Sequence, residues 1–379
     1  MSTNLTLALV LPEYFPYGGK QRDFLKIATA AVAAGHQVRA LVGSWEGAVP
    51  EGIIVERLAV SGRTNHRRLI CFANAVKANL SNNPADIVIG FTKIPGLDWY
   101  FAADTCYRAR IQRRYGGWLD WLPRVRTLSS FESAVFANTS TTRILSLNPR
   151  ERDVYRTLYA SPNNRFVNLP PGVTEAFQVP TADQRKRLRE SAGIADSDFL
   201  LLMVGSHFMT KGVDRSIAAL AALPEALKKR CQLWVVGKGK DTPMRRLVDR
   251  HELDSQVKFL GGRDDVPTLM QTADLLLQPS RTELAGMSIV EGLASGLPVI
   301  ASGVCGYSTH VMASNAGCVL MEPFCQRDLV LAMQLLLHPT ELESARKNAA
   351  AYAEKNNLRA LAINALDAIV ASRSIPIGG

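Results

Sequence analysis

Two glutamates, Glu283 and Glu291, stand eight positions apart in a segment that could bind an activated substrate. The segment follows an apolar run at 274–279 that predicts a buried strand, and it continues into a helical pattern that ends at Gly296. It therefore spans the carboxyl end of a strand and the amino end of a helix, where open α/β sheets place ligands. Eight positions on one helix amount to about 800°, roughly 80° off a common face, so a surface pair at helical spacing is a poor explanation. We predict Glu283 in the loop and Glu291 two turns into the helix.

Small residues lie between the two glutamates, at the predicted start of the helix: Ala285, Gly286 and then Met287. Free backbone amides at a helix amino end form a ready anion site, which suits a diphosphate. The alternative is a surface loop followed by a solvated helix that carries an unrelated glutamate.

The pattern of Glu, seven residues, Glu, followed by Gly-x-Pro-Val resembles the signature of retaining nucleotide-sugar glycosyltransferases of the GT-B architecture. That resemblance implies an α/β fold of two Rossmann-like domains facing across a cleft. It also implies that Glu291 holds the ribose hydroxyls of the nucleotide and that Glu283 faces the donor sugar as a catalytic residue. No Asp-x-Asp preceded by a strand is present, in keeping with a metal-independent enzyme. We therefore predict a nucleotide-sugar substrate, no cofactor and no metal site.

Composition places the chain among ordinary globular proteins, with 47% hydrophobic and 21% charged residues over 379 positions. That length favours about two to three domains. The six cysteines show neither Cys-x-x-Cys nor zinc-ligand spacing, which favours a reduced, cytosolic compartment. The apolar run 5–11 is short and has no basic residue before it, so it predicts a first strand rather than a signal peptide. No run of eighteen apolar residues occurs, so no membrane span is predicted.

The first third of the chain opens with strand, loop, helix and strand, at 5–11, 12–19, 21–34 and 37–42, which predicts a doubly wound sheet. Gly18 and Gly19 lie in the first loop, where the backbone must approach a ligand closely, although a glycine pair is also common in a plain turn. The dinucleotide fingerprint Gly-x-Gly-x-x-Gly is absent, which argues against a dehydrogenase.

Four further stretches, 14–24, 44–47, 65–66 and 90–98, resemble one subgroup of the GT-B enzymes, the lipopolysaccharide core glucosyltransferases I or WaaG type. The resemblance implies transfer of glucose from UDP-glucose to an inner-core heptose of lipopolysaccharide. It implies the following donor-binding residues: Gly18, Gly19, Asp23, Gly205, Lys211, Arg263, Ala285, Gly286, Met287 and Glu291. Lys211 would reach the diphosphate from a helix start, the alternative being a surface lysine. Relatives commonly carry arginine just before this lysine, where this chain has Thr210, so the diphosphate clamp is one cation weaker or the cation comes from elsewhere.

Asp104 follows an apolar run that predicts a strand. In the wider family a polar residue at this strand end faces the reacting centre, so the resemblance makes Asp104 a candidate for orienting the acceptor. An aspartate that caps the following helix is the alternative.

From 107 to 131 the chain becomes strongly basic and aromatic around the break at 116–117. Its arginines are Arg108, Arg110, Arg113, Arg114, Arg124 and Arg126, and Trp118 and Trp121 lie among them. Trp prefers the lipid headgroup layer, and arginines nearby are attracted to anionic lipid. Together with the formal charge of +10, this favours a patch on an anionic membrane surface over nucleic-acid binding, because no nucleic-acid-binding motif accompanies it. A solvated basic helix with two core tryptophans is the alternative.

Two prolines and a glycine at 170–172 cannot continue a sheet and predict the domain boundary. We predict an acceptor-binding domain at 1–170 and a donor-binding domain at 171–356, and the resemblance implies that a last helix, about 357–379, packs back on the first. The expected protein is a peripheral enzyme on the cytoplasmic face of the inner membrane, with a UDP-sugar and a lipopolysaccharide acceptor as its substrates. One alternative hypothesis is an enzyme that uses another nucleotide-sugar donor or another glycolipid acceptor. A second is a catalytically silent protein that binds polyanions or membranes.

Overall fold

A computed structural model describes residues 4–16 and 18–372. The chain forms two compact units: the first takes in the residues up to Gly172 and again those from Ala360, and the second is Val173–Arg359. The boundaries predicted from the sequence were 170 and 356. Of the predicted last helix, 357–379, residues 373–379 lie outside the described residues.

The first unit is built on a parallel sheet. Its strands are β1 (Thr6–Tyr14), β2 (Gln37–Trp45), β3 (Ile53–Arg57), β4 (Ile87–Gly90), β5 (Trp99–Ala102), β6 (Arg143–Ser146) and β7 (Phe166–Asn168). They lie in the order β3-β2-β1-β4-β5-β6-β7. The order reverses between β1 and β4, so the carboxyl ends of these two strands flank the point where doubly wound sheets bind ligands.

Helices cover both faces of this sheet. They are α1 (Gly19–Ala33), α2 (Asn65–Asn82), α3 (Tyr107–Tyr115), α4 (Pro123–Phe136), α5 (Pro149–Tyr159) and, after the second unit, α16 (Leu361–Ala371). The apolar stripe of α1 is buried through Phe24 and Ile27, and α16 adds Leu361 and Ile369 to the same core. The last described helix therefore belongs to the first unit.

The second unit repeats the design. Its strands are β8 (Phe199–Val204), β9 (Cys231–Val236), β10 (Val257–Gly261), β11 (Leu275–Gln278), β12 (Val299–Ser302) and β13 (Gly317–Leu320). Their order, β10-β9-β8-β11-β12-β13, is the dinucleotide-fold order with its reversal between β8 and β11. The helices between and after them are α6 (Ala182–Ser191), α7 (Phe208–Lys211), α8 (Val213–Ala221), α9 (Glu225–Lys228), α10 (Thr242–Arg250), α11 (Val266–Thr272), α12 (Met287–Ala294), α13 (Ser308–Ser314), α14 (Gln326–Leu336) and α15 (Pro339–Lys355).

A buried charge cluster fixes helices to the amino end of β11. Asp274 accepts hydrogen bonds at 2.7 Å from each of three arginines, Arg185, Arg189 and Arg346, and from the backbone N–H of Leu200. Burial lowers the pKa of Arg346 to about 10, although Asp274 opposes this shift. The cluster holds α6 and α15 at the opposite end of β11 from Glu283, so it is a structural feature.

Candidate active site

The two glutamates lie where the sequence predicted them, one in the loop after β11 and one in α12. Glu283 precedes the helix with its side chain 17% exposed, and Glu291 is in the second turn and only 7% exposed. The helix ends at Ala294, and Gly296 follows with φ +68°, a left-handed conformation that suits glycine at a helix end. The predicted loop and helix are confirmed.

Gly286 sets the geometry of the helix start. Its φ of +85° is left-handed, and no side chain caps the helix there. A Cβ on Gly286 would lie 3.1 Å from Ile289 Cδ1 and 3.4 Å from Glu283 Cγ. Glu283 therefore packs directly over the amino end of α12, so its carboxylate and the first-turn amides belong to one small region.

Lys211 reaches this region from the neighbouring strand. It ends α7 after β8, and its ammonium forms an ion pair with Glu283 Oε2. The lysine side chain crosses Gly205 at the end of β8, where a Cβ would lie 2.9 Å from Lys211 Cε. Because the Lys211 side chain is only 21% exposed and is paired, the surface-lysine alternative is wrong.

A buried polar network, which the sequence analysis missed, supports Glu283 from behind. Gln278 is fully buried at the end of β11, and its Nε2 lies 3.0 Å from Ser280 Oγ and 3.4 Å from Glu283 Oε2. The side-chain amide oxygen Oε1 of Gln278 accepts a hydrogen bond from Ser288 Oγ at 3.2 Å, and Ser302 Oγ donates to the backbone carbonyl of Ser280 at 2.6 Å. A satisfied buried network of this kind restricts the rotamers of its members, so it fixes the loop that carries Glu283. The sequence signal that could have predicted this network was Gln278, a single polar amide at the end of an otherwise apolar strand.

The position before Lys211 is occupied by Thr210, and two arginines, Arg281 and Arg215, connect the loops that follow β8 and β11. Arg281 pairs with Asp214 at 2.6 Å, and its backbone N–H donates to the Thr210 carbonyl at 2.8 Å. Arg215 donates to the Pro279 carbonyl at 2.9 Å. Both guanidiniums brace the loops after β8 and β11.

Arg263 is the predicted donor residue furthest along this sheet from Lys211. It follows β10, the edge strand of the second unit, and its guanidinium pairs with Asp265 at the surface. Within the described residues no contact joins Arg263 to Lys211 or Glu283, so the structure does not bring it together with them.

In the first unit, the predicted residues lie at the start of α1 and after β5. Gly18 is the residue before α1 and Gly19 is its first residue, and Asp23 is buried one turn later with 8% of its surface exposed. Asp104 pairs with Lys20 at 2.7 Å. The cap of α3 is Cys106, whose Sγ accepts from the backbone N–H of Ala109, so the alternative that Asp104 caps this helix is wrong.

Asp23 gives a testable pH dependence. Burial raises the pKa of this carboxyl to about 6, with Lys26 and Arg22 opposing the shift. The pKa of an aspartate in the unfolded chain is about 3.9. The free energy of unfolding therefore falls as the pH rises from about 4 to about 6, because Asp23 must ionise while it is buried, and the full loss is present above about pH 6. We expect Asp23→Asn to stabilise the protein by on the order of 2–3 kcal/mol near neutral pH, and to have no effect below about pH 4. Urea unfolding across this range measures it.

The matched control is Asp153→Asn, an aspartate of the same unit whose side chain is 57% exposed. It should show no such pH-dependent gain. A destabilised Asp23→Asn protein near neutral pH would contradict the assignment of an ionised, buried carboxylate.

The basic segment forms two helices, α3 and α4, with exposed tryptophans between them. Trp118 is 86% exposed and Trp121 is 72% exposed, so the alternative of core tryptophans is wrong. Arg108 pairs with Asp120 at 2.9 Å. The other arginines are exposed: Arg110, Arg113, Arg114, Arg124 and Arg126. Cations and indole rings are thus presented together on the surface of the first unit.

Glu132, which the sequence analysis did not single out, anchors this segment. It is fully buried and accepts the backbone N–H groups of Tyr107 at 2.7 Å and Arg108 at 3.0 Å, the first residues of α3. Burial raises its pKa, but the Lys93 ammonium at 2.5 Å and these N–H donors outweigh burial, and the pKa of Glu132 is lowered. A charged carboxylate at a helix amino end is favourable, so Glu132, which lies on α4, fixes the start of α3 to α4.

Comparison with known proteins agrees with this arrangement. Residues 184–356 match the family described as glycosyl transferases group 1. The chain is 39% identical over 368 residues to lipopolysaccharide glucosyltransferase WaaG of Escherichia coli strain K12, covering 96% of this chain and 98% of that protein. The crystal structure of WaaG, a glycosyltransferase involved in lipopolysaccharide biosynthesis, matches with a TM-score of 0.88 at 38% identity, over 96% of this chain and 99% of that one. Sucrose-phosphate synthase from Thermosynechococcus elongatus shares the fold, with a TM-score of 0.78 at 19% identity over 98% and 100% of the two chains.

Two Rossmann-like units, with a Glu-x7-Glu segment that runs from the loop after β11 into α12, define a GT-B glycosyltransferase. The chain belongs to the group 1 glycosyl transferases. The predicted α/β fold, the glycosyltransferase class and the resemblance to the WaaG type are confirmed. The roles of individual site residues and the absence of a metal stay predictions.

Proposed function

We propose that this protein transfers glucose from UDP-glucose to an inner-core heptose of lipopolysaccharide, with retention of configuration. The observation that supports it most is the likeness to lipopolysaccharide glucosyltransferase WaaG over 96% of this chain, together with the pairing of Lys211 with Glu283, the first glutamate of the Glu-x7-Glu segment. In this proposal Glu291 holds the nucleotide ribose, and Ala285, Gly286 and Met287 offer backbone amides to the diphosphate.

The proposed step requires stabilisation of the charges that develop as the donor reacts. When the bond from glucose to the nucleotide breaks, negative charge grows on the diphosphate, and Lys211 with the first-turn amides of α12 stabilises it. The ammonium has three donors, so it can bind Glu283 and a phosphate oxygen together. Glu283 holds sugar hydroxyls and stabilises positive charge at the anomeric carbon. No protein nucleophile is assigned: a hydroxyl of the heptose attacks the anomeric carbon from the side of the leaving diphosphate, which accepts the hydroxyl proton, and attack from this side retains the configuration.

The donor preference tests this proposal directly. Binding to the folded state alone raises the melting temperature by mass action. Among UDP-glucose, UDP-galactose, UDP-N-acetylglucosamine and GDP-mannose, we expect UDP-glucose to give the largest thermal shift at equal concentration. If another donor gave a larger increase in melting temperature, the assigned donor would be that nucleotide-sugar instead of UDP-glucose. If no donor changed the melting temperature, the catalytically silent alternative would be favoured.

We further propose that the segment of α3, α4 and the residues between them rests on an anionic membrane, which would hold the enzyme at the cytoplasmic face of the inner membrane. Exposed Trp118 and Trp121 fit the headgroup layer, and each exposed arginine near the surface contributes about 1 kcal/mol on anionic lipid. Among the described residues no helix has both the length and the hydropathy needed to cross a bilayer.

The double substitution Trp118→Ser with Trp121→Ser is expected to weaken binding to phosphatidylglycerol-containing vesicles by at least about tenfold, or 1.4 kcal/mol, because it removes the apolar anchors and leaves the arginines. Vesicle flotation measures it, with pure phosphatidylcholine vesicles as the lipid control. Met321→Ser removes a comparably exposed apolar side chain, 69% exposed, from the second unit and should have no effect. Equal flotation of all three proteins would contradict a membrane patch, and preferential binding of an oligonucleotide would favour nucleic acid.

A further inference from the structure

Gln278 places a polar amide at the fully buried end of β11, whose other residues are apolar. Each of its bonding groups has a partner. Nε2 donates to Ser280 Oγ at 3.0 Å and lies 3.4 Å from Glu283 Oε2, and Oε1 accepts from Ser288 Oγ at 3.2 Å. Burying an amide costs free energy even when it is bonded, whereas a methionine of similar size would not carry this cost. The amide is therefore better explained by what it holds than by the packing of the strand.

The carboxylate of Glu283 decides which way this amide faces. A carboxylate paired with Lys211 only accepts hydrogen bonds, so the Nε2 group of Gln278, with its two donors, must face it. The amide oxygen then faces Ser288, whose hydroxyl has to donate. Ser288 is the second residue of α12 and is 7% exposed. The amide therefore joins the first turn of α12 to the carboxylate of Glu283 in one fixed orientation.

The two oxygens of the Glu283 carboxylate have different surroundings. Oε2 accepts hydrogen bonds from the Lys211 ammonium and from the Gln278 amide. In the part of the chain that the structure describes, no protein group donates a hydrogen bond to Oε1. Rotation about the last side-chain bond of a glutamate has no sharp intrinsic preference, so the two donors on Oε2 fix the plane of the carboxylate. Oε1 is thereby left for a hydroxyl of the substrate.

We propose that Gln278 is a positioning residue, which holds Glu283 so that its Oε1 meets the hydroxyls of the donor sugar. The assignment rests on the proposed function, in which Glu283 binds that sugar. Lys211 alone would hold Oε2 less firmly, because its ammonium is a point charge on a flexible stem and is also assigned to the diphosphate. The amide of Gln278 is buried and bonded at both ends, so it keeps Oε2 in place while the ammonium turns to the departing phosphate.

The first experiment replaces Gln278 with methionine, which keeps the unbranched length of the side chain and removes the donors. We expect kcat for glucose transfer to fall by about ten- to thirtyfold, because a misplaced carboxylate no longer meets the sugar. The Kd for UDP-glucose should rise about three- to tenfold, and the Kd for UDP, which carries no sugar, should stay unchanged. Calorimetric titration of the full chain measures both constants.

A double-mutant cycle separates positioning from a merely structural role. If Gln278 acts through Glu283, Gln278→Met should change kcat by less than about twofold in a Glu283→Gln protein, where the carboxylate is already lost. Ser288→Ala removes the hydroxyl at the other end of the amide. It should lower kcat about two- to fivefold, again without further effect in the Glu283→Gln protein. Because Ser288→Ala changes little volume, it decides the test if Gln278→Met fails to fold.

Gln256→Met is the matched control. Gln256 belongs to the same unit, and its Nε2 donates to the backbone carbonyls of Lys228 and Cys231, beside the amino end of β9. This substitution removes a bonded amide that does not contact Glu283, so kcat and both Kd values should equal those of the parent.

The outcomes distinguish this role from the proposed function. Equal losses of kcat from Gln278→Met in the parent and in the Glu283→Gln protein would overturn the positioning role, as would an equal rise in Kd for UDP and UDP-glucose. Glucose transfer at the parental rate by both Gln278→Met and Ser288→Ala would overturn it and leave the proposed function standing. Transfer of another sugar by the parent, with the same non-additivity for that donor, would overturn the assigned donor and leave the positioning role supported. Absence of binding by any nucleotide-sugar would overturn both.

Discussion

Replacing Glu283 with glutamine is expected to lower kcat for glucose transfer by about 100- to 1,000-fold, which is roughly 3–4 kcal/mol of transition-state stabilisation. Glutamine keeps the size and the hydrogen-bonding capacity of the side chain but removes the negative charge that opposes the developing positive charge on the sugar. The carboxylate is 17% exposed and paired with Lys211, so its charge acts in a partly desolvated region. Initial rates at saturating UDP-glucose measure the effect.

Two controls make this result specific. Glu175→Gln changes an 81% exposed carboxylate of the same unit, which pairs with Arg359 at the surface, and should leave kcat unchanged. The Glu283→Gln protein should melt close to the parent and keep its UDP-glucose thermal shift. A kcat within twofold of the parent would remove Glu283 from the catalytic assignment.

Replacing Lys211 with methionine is expected to lower kcat by about 100- to 1,000-fold as well, because the departing diphosphate loses a cation. Methionine keeps an unbranched stem to pack across Gly205, so the loop should hold its shape. The diagnostic measurement is ligand binding: the Kd for UDP should rise about tenfold, and the Kd for uridine, which lacks the diphosphate, should not change.

Lys229→Met, at a side chain 73% exposed, is the matched control and should match the parent in both assays. An equal loss of UDP and uridine binding in Lys211→Met would mean that the lysine supports the pocket rather than the diphosphate. Unchanged UDP binding with unchanged kcat would remove Lys211 from the site.

Local pattern was enough to predict the elements that carry Glu283 and Glu291, whereas Lys211, expected at a helix start, ends the short helix α7 just before α8. Apolar runs gave the strands, and Gly296 after the helical pattern gave the end of α12, because periodicity and end signals depend on neighbouring residues only. Neither β3 nor α2 was predicted from the sequence. The β3 strand is a half-buried edge strand, and α2 has a wide polar surface with only Phe72 and Val76 buried, so both patterns are weak.

Contacts between distant segments were beyond such reasoning. Lys211 and Glu283 are 72 positions apart, and their pairing depends on β8 and β11 being neighbours in the sheet. Gln278 is a buried amide whose partners come from a loop and a helix, and Glu132 anchors a helix that begins 25 residues earlier. Spacing does not encode these contacts, because they follow from the order of the strands and from the packing of α3 on α4.

The most direct test of the central claim is transfer itself. The purified protein is incubated with UDP-glucose carrying a labelled sugar and with lipopolysaccharide whose core ends at heptose, and the product is examined for label and for anomeric configuration. We expect glucose joined to heptose in the α configuration of the donor. Folded protein that binds UDP-glucose but adds no label to this acceptor, or adds it with inverted configuration, would contradict it.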